Sequence, residues 1–346
     1  MIRVGIIGCG KIAQVRHIPE YLENRDVTLV GLFDYNEERL DKLSKKYKIK
    51  SYISIDEMLN DKSVDAISIC TPNIYHASLS IKALRANKHV LCEKPMATSL
   101  PECIAMIDVS KETNKKLMIG QNQRLNEAHI VAKDLIERGT IGKVLSFRTT
   151  FGHSGPESWS IDPGKNVWFF KKEKATMGAM ADLGIHKTDL IQYLINSNII
   201  AVTSKLVTLD KKDSTNKLID IDDNAFCIYE MANGAVGTMH SSWSMYGDED
   251  NSTIIYGDKG IMRIYDDKKH SIIIKLKDGN TKYYDIDEIQ TNDKQSKSKI
   301  IDAFVDSIVN DKTPIITNES VLSAMSAVFA SVESSKTNKR VEVKNI

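Results

Sequence analysis

Three short segments of the sequence carry side chains that could move a hydride and a proton. Gly8-Cys9-Gly10-Lys11-Ile12-Ala13 is a glycine loop of the kind that holds a dinucleotide. Cys92-Glu93-Lys94-Pro95 offers an ammonium group, and Asp182-Leu183-Gly184-Ile185-His186 offers a carboxylate and an imidazole. A lysine stabilises a developing alkoxide, and a histidine accepts a hydroxyl proton near neutral pH. These groups predict the interconversion of a carbinol and a carbonyl with a nicotinamide cofactor.

The composition limits the partners that this chain could have. Its 346 residues suit two domains, and its 47 basic and 46 acidic residues are interspersed. The sequence has no basic stripe of the kind that nucleic acid requires, and no apolar run that could span a bilayer. Five cysteines without a C-x-x-C pair favour a reducing, cytoplasmic location. We therefore expect a small-molecule partner and no nucleic acid, membrane or metal site.

The first third of the chain alternates between strand patterns and helix patterns. Apolar runs that predict strands fall at 2–7, 27–33, 64–69, 89–91 and 117–119, with helical patterns between them. Strands that are apolar throughout and alternate with helices are typical of a parallel sheet covered on both faces. Residues 1–122 are therefore predicted to form an NAD-binding domain with a doubly wound parallel sheet, the Rossmann fold.

The rest of the chain has a different pattern. Asn233-Gly234 and Asp278-Gly279 each lie between alternating apolar runs, which predicts hairpins of antiparallel strands. Helical patterns precede and follow these runs. We predict that residues 123–346 form an α+β domain on an open, mostly antiparallel sheet, used for substrate binding and oligomerisation.

The glycine loop and Asp34 together favour NAD over NADP. The loop lies between the first predicted strand and the first helix, and Asp34 ends the next strand, at the distance from Ala13 that this motif requires. A carboxylate there holds both ribose hydroxyls and repels a 2′-phosphate. Two alternatives remain at this point: a plain glycine turn, and an Asp34 that only caps the following helix.

Lys94 and the Asp182–His186 pair are the candidate catalytic groups. Lys94 follows a predicted strand, where open α/β sheets place their ligand crevice, and Pro95 permits a cis bond. Asp182 and His186 have the spacing of one helical face, or they lie across the start of a helix. By themselves, Glu93-Lys94-Pro95 could be a surface turn and the Asp–His pair could be structural.

In combination, the motifs resemble those of the glucose–fructose oxidoreductase and inositol dehydrogenase family (Gfo/Idh/MocA), over essentially the whole chain. The motifs that carry the resemblance are Gly8-x-Gly10-x-x-Ala13, Asp34, Thr71-Pro72-Asn73-x-x-His76, Glu93-Lys94-Pro95, Gln123-Arg124 and Asp182-x-Gly184-x-His186-x-x-Asp189. The resemblance implies a Rossmann domain followed by an α+β domain, and a catalytic set of Lys94, Asp182 and His186. Two departures concern the substrate region: Met177-Gly178-Ala179-Met180 replaces a glycine-rich stretch, and Leu125 replaces an aromatic residue.

The resemblance also implies where the ligands bind. The residues expected along the cofactor are Gly8, Gly10, Lys11, Ile12, Ala13, Asp34, Thr71, Pro72, Asn73, His76, Glu93, Lys94 and Arg124. The residues expected at the substrate are Asn122, Arg124, His153, Trp168, Asp182 and His186. A tryptophan face suits the apolar face of a sugar ring, and Trp159 is a further candidate, although both tryptophans could serve packing alone.

The sequence therefore predicts an NAD-dependent oxidoreductase that acts on a sugar, an inositol or a related polyol, in a homodimer or homotetramer. One rival keeps the fold but uses NAD for a transient redox step in glycoside cleavage. Another rival is a non-catalytic protein that senses a sugar or NAD. The presence of Lys94, Asp182 and His186 favours the enzymes, because a sensor has no need of a proton acceptor beside a lysine.

Overall fold

The computed structural model describes residues 1–289 and 297–344, and the elements below are those of this part of the chain. The strands are β1 Ile2–Ile7, β2 Val27–Phe33, β3 Lys50–Ser51, β4 Ala66–Ile69, β5 His89–Cys92, β6 Leu117–Ile119, β7 Val144–Gly152, β8 Ile199–Val207, β9 Asn224–Met231, β10 Val236–Ser242, β11 Thr253–Gly257, β12 Gly260–Ile264, β13 Ile272–Leu276, β14 Thr281–Tyr284 and β15 Val341–Glu342. The α-helices are α1 Ile18–Glu23, α2 Glu37–Tyr47, α3 Ile55–Asn60, α4 His76–Arg85, α5 Leu100–Thr113, α6 Glu127–Glu137, α7 Pro156–Trp159, α8 Lys172–Ala175, α9 Ile185–Ile195, α10 Ile300–Val309 and α11 Asn318–Thr337.

The first sheet is parallel and has the order β3-β2-β1-β4-β5-β6. All four residues of β4 are buried, as expected for a strand with helices on both faces. The predicted doubly wound parallel sheet is confirmed. The sequence did not predict β3, a strand of two exposed residues. The carboxyl ends of the strands place the glycine loop, Asp34 and Lys94 at one edge of this sheet.

The second sheet has nine strands in the order β14-β13-β12-β11-β7-β10-β9-β8-β15. Every neighbouring pair is antiparallel except β7 and β10, which confirms the prediction of a mostly antiparallel sheet. Side chains alternate between the two faces: Cys227 and Tyr229 are buried, whereas Phe226 and Ile228 are exposed. This alternation leaves one face of the sheet partly apolar and open.

The chain divides into two compact units. The first comprises residues 1–121 and a later segment that ends at Val321, and the second comprises the rest of the chain. The predicted ranges, 1–122 and 123–346, assigned α10 to the second domain, whereas the structure places it in the first unit. The Asn24 side chain donates to Asp302 of α10 at 2.7 Å. A contact between residues 278 positions apart leaves no local pattern in the sequence.

All five cysteines are free and buried. Burial raises the thiol pKa of Cys9, Cys103 and Cys227 to about 12, which keeps these groups protonated and unreactive.

Within the described residues, the helices include none that is both long enough and apolar enough to cross a membrane.

Candidate active site

The glycine loop follows β1 directly and leads into a helical turn, Ala13–His17. Gly8 has a φ of +92°, and a Cβ there would lie 2.7 Å from the Cys70 carbonyl oxygen, so only glycine fits. At Gly10, by contrast, an added Cβ would meet nothing within 4 Å. The backbone at Gly10 is therefore open to a closely approaching ligand, as the diphosphate of a dinucleotide requires.

The Asp34 carboxylate links the end of β2 to this loop. Its Oδ2 accepts the Cys9 backbone N–H at 2.7 Å, and its Oδ1 accepts the Asn36 N–H at 2.7 Å. Arg39 Nη1 lies 3.5 Å from Oδ1. The cap of α2 is Asn36, whose side chain accepts the Arg39 N–H, so Asp34 does not serve as the helix cap. A negative charge is thus fixed beside the glycine loop.

Lys94 lies two residues after the end of β5, and its peptide bond to Pro95 is cis. The preceding residue, Glu93, is 5% exposed. Burial raises the pKa of Glu93, but the hydrogen bond from His17 and nearby cations outweigh this effect and hold the pKa at about 2. Glu93 Oε2 accepts the Lys94 backbone N–H at 3.3 Å. A buried carboxylate therefore fixes the backbone from which the Lys94 side chain extends.

A buried histidine to which the sequence analysis gave no role supports Glu93. His17 Nε2 lies 2.9 Å from Glu93 Oε1, and His17 Nδ1 lies 3.2 Å from Ser68 Oγ, which in turn lies 2.7 Å from the Tyr21 hydroxyl. Because the ionised carboxylate only accepts hydrogen bonds, His17 donates through Nε2. A local signal for this residue existed: His17 follows Ala13 by four positions, on the same helical face.

His76 holds two loops at the carboxyl edge of the parallel sheet. Its Nδ1 lies 2.7 Å from the Pro95 carbonyl oxygen and its Nε2 lies 2.8 Å from the Thr71 carbonyl oxygen. The residue is 1% exposed, and burial lowers the pKa of His76 against the effect of the two carbonyls. This geometry makes His76 a support for the loops after β4 and β5.

The helix that carries Asp182 and His186 begins with a wide turn, Met180–Gly184, and continues as α9. The Asp222 carboxylate caps its start by accepting the N–H groups of Gly178 at 2.8 Å and Met180 at 2.7 Å. Burial raises the pKa of Asp222 to about 6. A Cβ at Gly178 would lie 1.8 Å from the Asp222 carbonyl oxygen, so packing requires the glycine that this segment retains.

Asp182 lies in a buried polar cluster. Its Oδ2 accepts the Trp243 Nε1–H at 3.0 Å and lies 3.9 Å from His153 Nε2. The Gly155 N–H donates to His153 Nδ1 at 3.0 Å, so the proton of a neutral His153 is on Nε2, the nitrogen nearer Asp182. His153, Asp182 and His186 are 5%, 7% and 7% exposed. The sequence analysis missed Trp243, and no local motif would have identified it.

Aromatic rings surround this cluster. Trp168 stacks on Phe169 with 3.9 Å between ring centroids, and Trp159 meets Phe169 edge-on at 5.2 Å. The Phe151 ring lies 6.0 Å from the His186 ring. Trp168 and Phe169 also pack on an apolar cluster that includes Phe151 and Trp243. An apolar wall of this kind suits the faces of a sugar ring.

Arg124 forms a buried ion pair with Asp189, which follows His186 by three residues. Arg124 Nε donates to Asp189 Oδ2 at 2.6 Å, and Nη2 contacts the other carboxylate oxygen. The two residues are 7% and 1% exposed. Arg124 was predicted to contact cofactor and substrate. Two of its donors bind Asp189, and this ion pair ties the helical turn Asn122–Leu125 to α9.

Lys94 belongs to the first compact unit, and Asp182 and His186 belong to the second. The first unit has a dinucleotide-type glycine loop with an acidic residue at the next strand end. The second has a buried carboxylate and two imidazoles among aromatic rings. Together these features are typical of a Rossmann-type oxidoreductase with a second, mostly antiparallel α+β domain.

Comparison with known proteins agrees with this class. Residues 2–121 match the model of an oxidoreductase family with an NAD-binding Rossmann fold, and residues 129–263 match the GFO/IDH/MocA C-terminal domain. The chain belongs to the Gfo/Idh/MocA family of oxidoreductases.

Three relatives illustrate the similarity. Levoglucosan dehydrogenase of Pseudarthrobacter phenanthrenivorans is 33% identical over 221 residues, which are 59% of this chain and 56% of that protein. Glucose-6-phosphate 3-dehydrogenase of Bacillus subtilis is 30% identical over 283 residues, 81% of this chain and 78% of that protein. A solved structure of levoglucosan dehydrogenase in complex with NADH superposes with a TM-score of 0.86 at 25% identity, covering 100% of both chains.

Proposed function

We propose that this protein is an NAD-dependent oxidoreductase that acts on a secondary hydroxyl of a sugar, an inositol or a related polyol. The observation that carries the proposal is the buried pair of Asp182 and His186 at the start of one helix, among aromatic rings. Relatives that are dehydrogenases of sugars and sugar phosphates support the same substrate class.

In the proposed reaction, His186 accepts the proton of the substrate hydroxyl. Lys94 donates a hydrogen bond to that oxygen as it gains negative charge, and Asp182 positions the substrate and His186. NAD, when bound, accepts the hydride at nicotinamide C4. Because a proton leaves the oxygen and a hydride leaves the adjoining carbon, the carbinol becomes a carbonyl.

The residues at the glycine loop fit NAD. Gly8 adopts the positive φ that the turn requires, Gly10 leaves room for a diphosphate, and Asp34 can accept hydrogen bonds from ribose hydroxyls. These residues would hold the cofactor in the first unit, and the loops supported by His76 would border it.

A screen of sugars, sugar phosphates and cyclitols for NADH formation at 340 nm tests the proposal. We expect net NADH with at least one secondary alcohol. A product formed without net NADH would instead indicate transient redox chemistry. Binding of a sugar without any product would indicate a sensor and would overturn the proposed oxidoreductase.

Asp34 should determine the choice of cofactor. We expect Asp34→Ser to weaken NAD binding, because a charge-assisted hydrogen bond to a ribose hydroxyl is worth about 1.5–3 kcal/mol. The same change should improve NADP binding, because it removes a carboxylate and leaves Arg39 for the 2′-phosphate. Titration of the wild type and of Asp34→Ser with NAD and with NADP measures this change in preference.

Asp41→Ser is a suitable control for Asp34→Ser, because Asp41 is an exposed residue of α2 that pairs only with Lys45 among the contacts described. It should leave both affinities unchanged. A wild-type protein that already prefers NADP would show that the assignment of Asp34 is wrong.

We also propose that a second copy of this chain covers the open face of the second sheet. Phe226, Ile228 and Val236 are 42%, 48% and 45% exposed on adjacent strands of that face. Single exposed apolar residues are ordinary, but a row across paired strands is typical of an interface. We expect Ile228→Lys to lower the mass measured by light scattering, whereas Ile53→Lys, at a residue that is 91% exposed in the first unit, should not. A wild-type monomer at micromolar concentration would refute this interface.

A further inference from the structure

Lys187, the residue after His186, is a buried lysine that the proposed mechanism does not use. It is 0% exposed. Its Nζ donates to the Asn251 carbonyl oxygen at 2.8 Å and lies 3.4 Å from Thr253 Oγ1. No carboxylate in the described residues forms an ion pair with it. A buried ammonium whose described hydrogen bonds go to neutral oxygens is costly to maintain, which makes a functional role worth seeking.

The Phe151 ring lies near both the Lys187 ammonium and His186, the candidate base. Its ring centroid lies 5.9 Å from Lys187 Nζ and 6.0 Å from the centroid of the His186 ring. The ammonium and the imidazole are therefore within about 12 Å of each other, in a region where Phe151 and His186 are both buried. At about 12 Å and an effective dielectric constant of about 20, two unit charges alter a protonation equilibrium by about tenfold.

We propose that the Lys187 ammonium keeps His186 in its neutral, proton-accepting form. This inference rests on the proposed function, in which His186 is the base, and it adds a residue that controls the protonation of His186. Lys187 acts through His186, so it is a positioning residue and not a catalytic one.

The titration of Lys187 fits this role. Burial lowers the pKa of Lys187 to about 7, against the charges of Asp250 and Glu249. His129 faces the same region, and its pKa is lowered to about 3 by burial and by the charge of Lys187. The other titratable groups on this helix and its first turn are Asp182, His186 and Asp189, and Asp189 is paired with Arg124. His153 faces Asp182, with 3.9 Å between Nε2 and Oδ2. Lys187 is therefore charged below about pH 7, where an unassisted histidine would take up a proton.

A purely structural role is the alternative, because Lys187 also ties α9 to the backbone just before β11. The two roles differ in pH dependence. A structural tie affects stability and leaves the protonation of His186 unchanged. An electrostatic role changes that protonation even when the fold is intact.

Lys187→Met tests the proposal. In 13C-histidine-labelled protein, with the His186 signal assigned by its loss in His186→Gln, we expect the His186 titration to move up by about one pH unit. The acid limb of kcat/KM should move in the same direction, so that activity at pH 6 falls more than activity at pH 8. The matched control is Lys88→Met, because Lys88 is also buried and donates to two backbone carbonyls, of Asp61 and Val64, in the first unit.

A folded Lys187→Met protein with an unchanged His186 titration would overturn the proposal. If Lys187→Met does not fold, Lys187→Gln keeps a hydrogen-bond donor without the charge and is subject to the same criterion. The NMR titration needs no turnover. If no sugar is oxidised by the wild type, the proposed function fails, whereas the effect of Lys187 on His186 is still decided.

Discussion

Lys94→Ala is expected to lose turnover by about a hundredfold or more, with NAD affinity and melting temperature near those of the wild type. The ammonium group donates most strongly to the substrate oxygen when that oxygen gains negative charge, so its removal raises the barrier more than it weakens ground-state binding. Steady-state kinetics on a verified substrate measures the loss in kcat, and NAD titration measures the affinity.

Two further variants test whether this loss is specific to the Lys94 ammonium. Lys94→Arg should restore little activity, because a planar guanidinium does not have the shape or the hydrogen-bond geometry of a compact ammonium. Lys82→Ala removes a lysine from α4 in the same unit, where it pairs with Asp56, and should be neutral. Wild-type turnover in Lys94→Ala would overturn the catalytic assignment of Lys94.

The surroundings of Lys94 explain why folding should survive its loss. The buried side chains beside this turn are held by one another: His17 Nε2 lies 2.9 Å from Glu93 Oε1, and His17 Nδ1 lies 3.2 Å from Ser68 Oγ. His17 and Arg16 lower the pKa of Glu93 more than Lys94 does, so we expect Glu93 to stay ionised when Lys94 is replaced by alanine. By the same argument, His17 variants should affect stability more than Lys94 variants do.

The fold was largely predictable because its strands are marked locally. β1, β2 and β6 begin and end at the predicted residues, since each is a largely apolar run that is followed by a glycine or an aspartate. The Asn-Gly and Asp-Gly turns likewise located the hairpins of the second sheet. The short strand β3 and the position of α10 were missed, because both depend on contacts with distant parts of the chain.

The candidate site was predictable only in part, for the same reason. Its motif residues follow from the family resemblance, but their partners are remote in sequence. Trp243 is 61 residues from Asp182, His17 is 76 residues from Glu93, and Arg124 is 65 residues from Asp189. Such pairs arise from packing, and a single sequence carries no periodic signal for them.

His186→Asn is the second change with a large expected effect. Asparagine keeps a polar side chain of similar size but cannot accept a proton at neutral pH, so we expect turnover to fall by about a hundredfold or more. Some activity should return at high pH, where hydroxide takes the substrate proton. The pH dependence of kcat in the variant and the wild type measures both effects.

The control for His186→Asn is His270→Asn, because His270 also belongs to the second unit and pairs with an aspartate, Asp285, on its surface. It should keep wild-type turnover. The double variant of Lys94→Ala and His186→Asn provides the strictest test of the proposed mechanism. If both residues act on one step, removal of the proton together with stabilisation of the resulting oxygen charge, the double variant should be scarcely slower than either single variant. Losses that multiply fully would mean that the two residues act on separate steps, and the shared mechanism would be wrong.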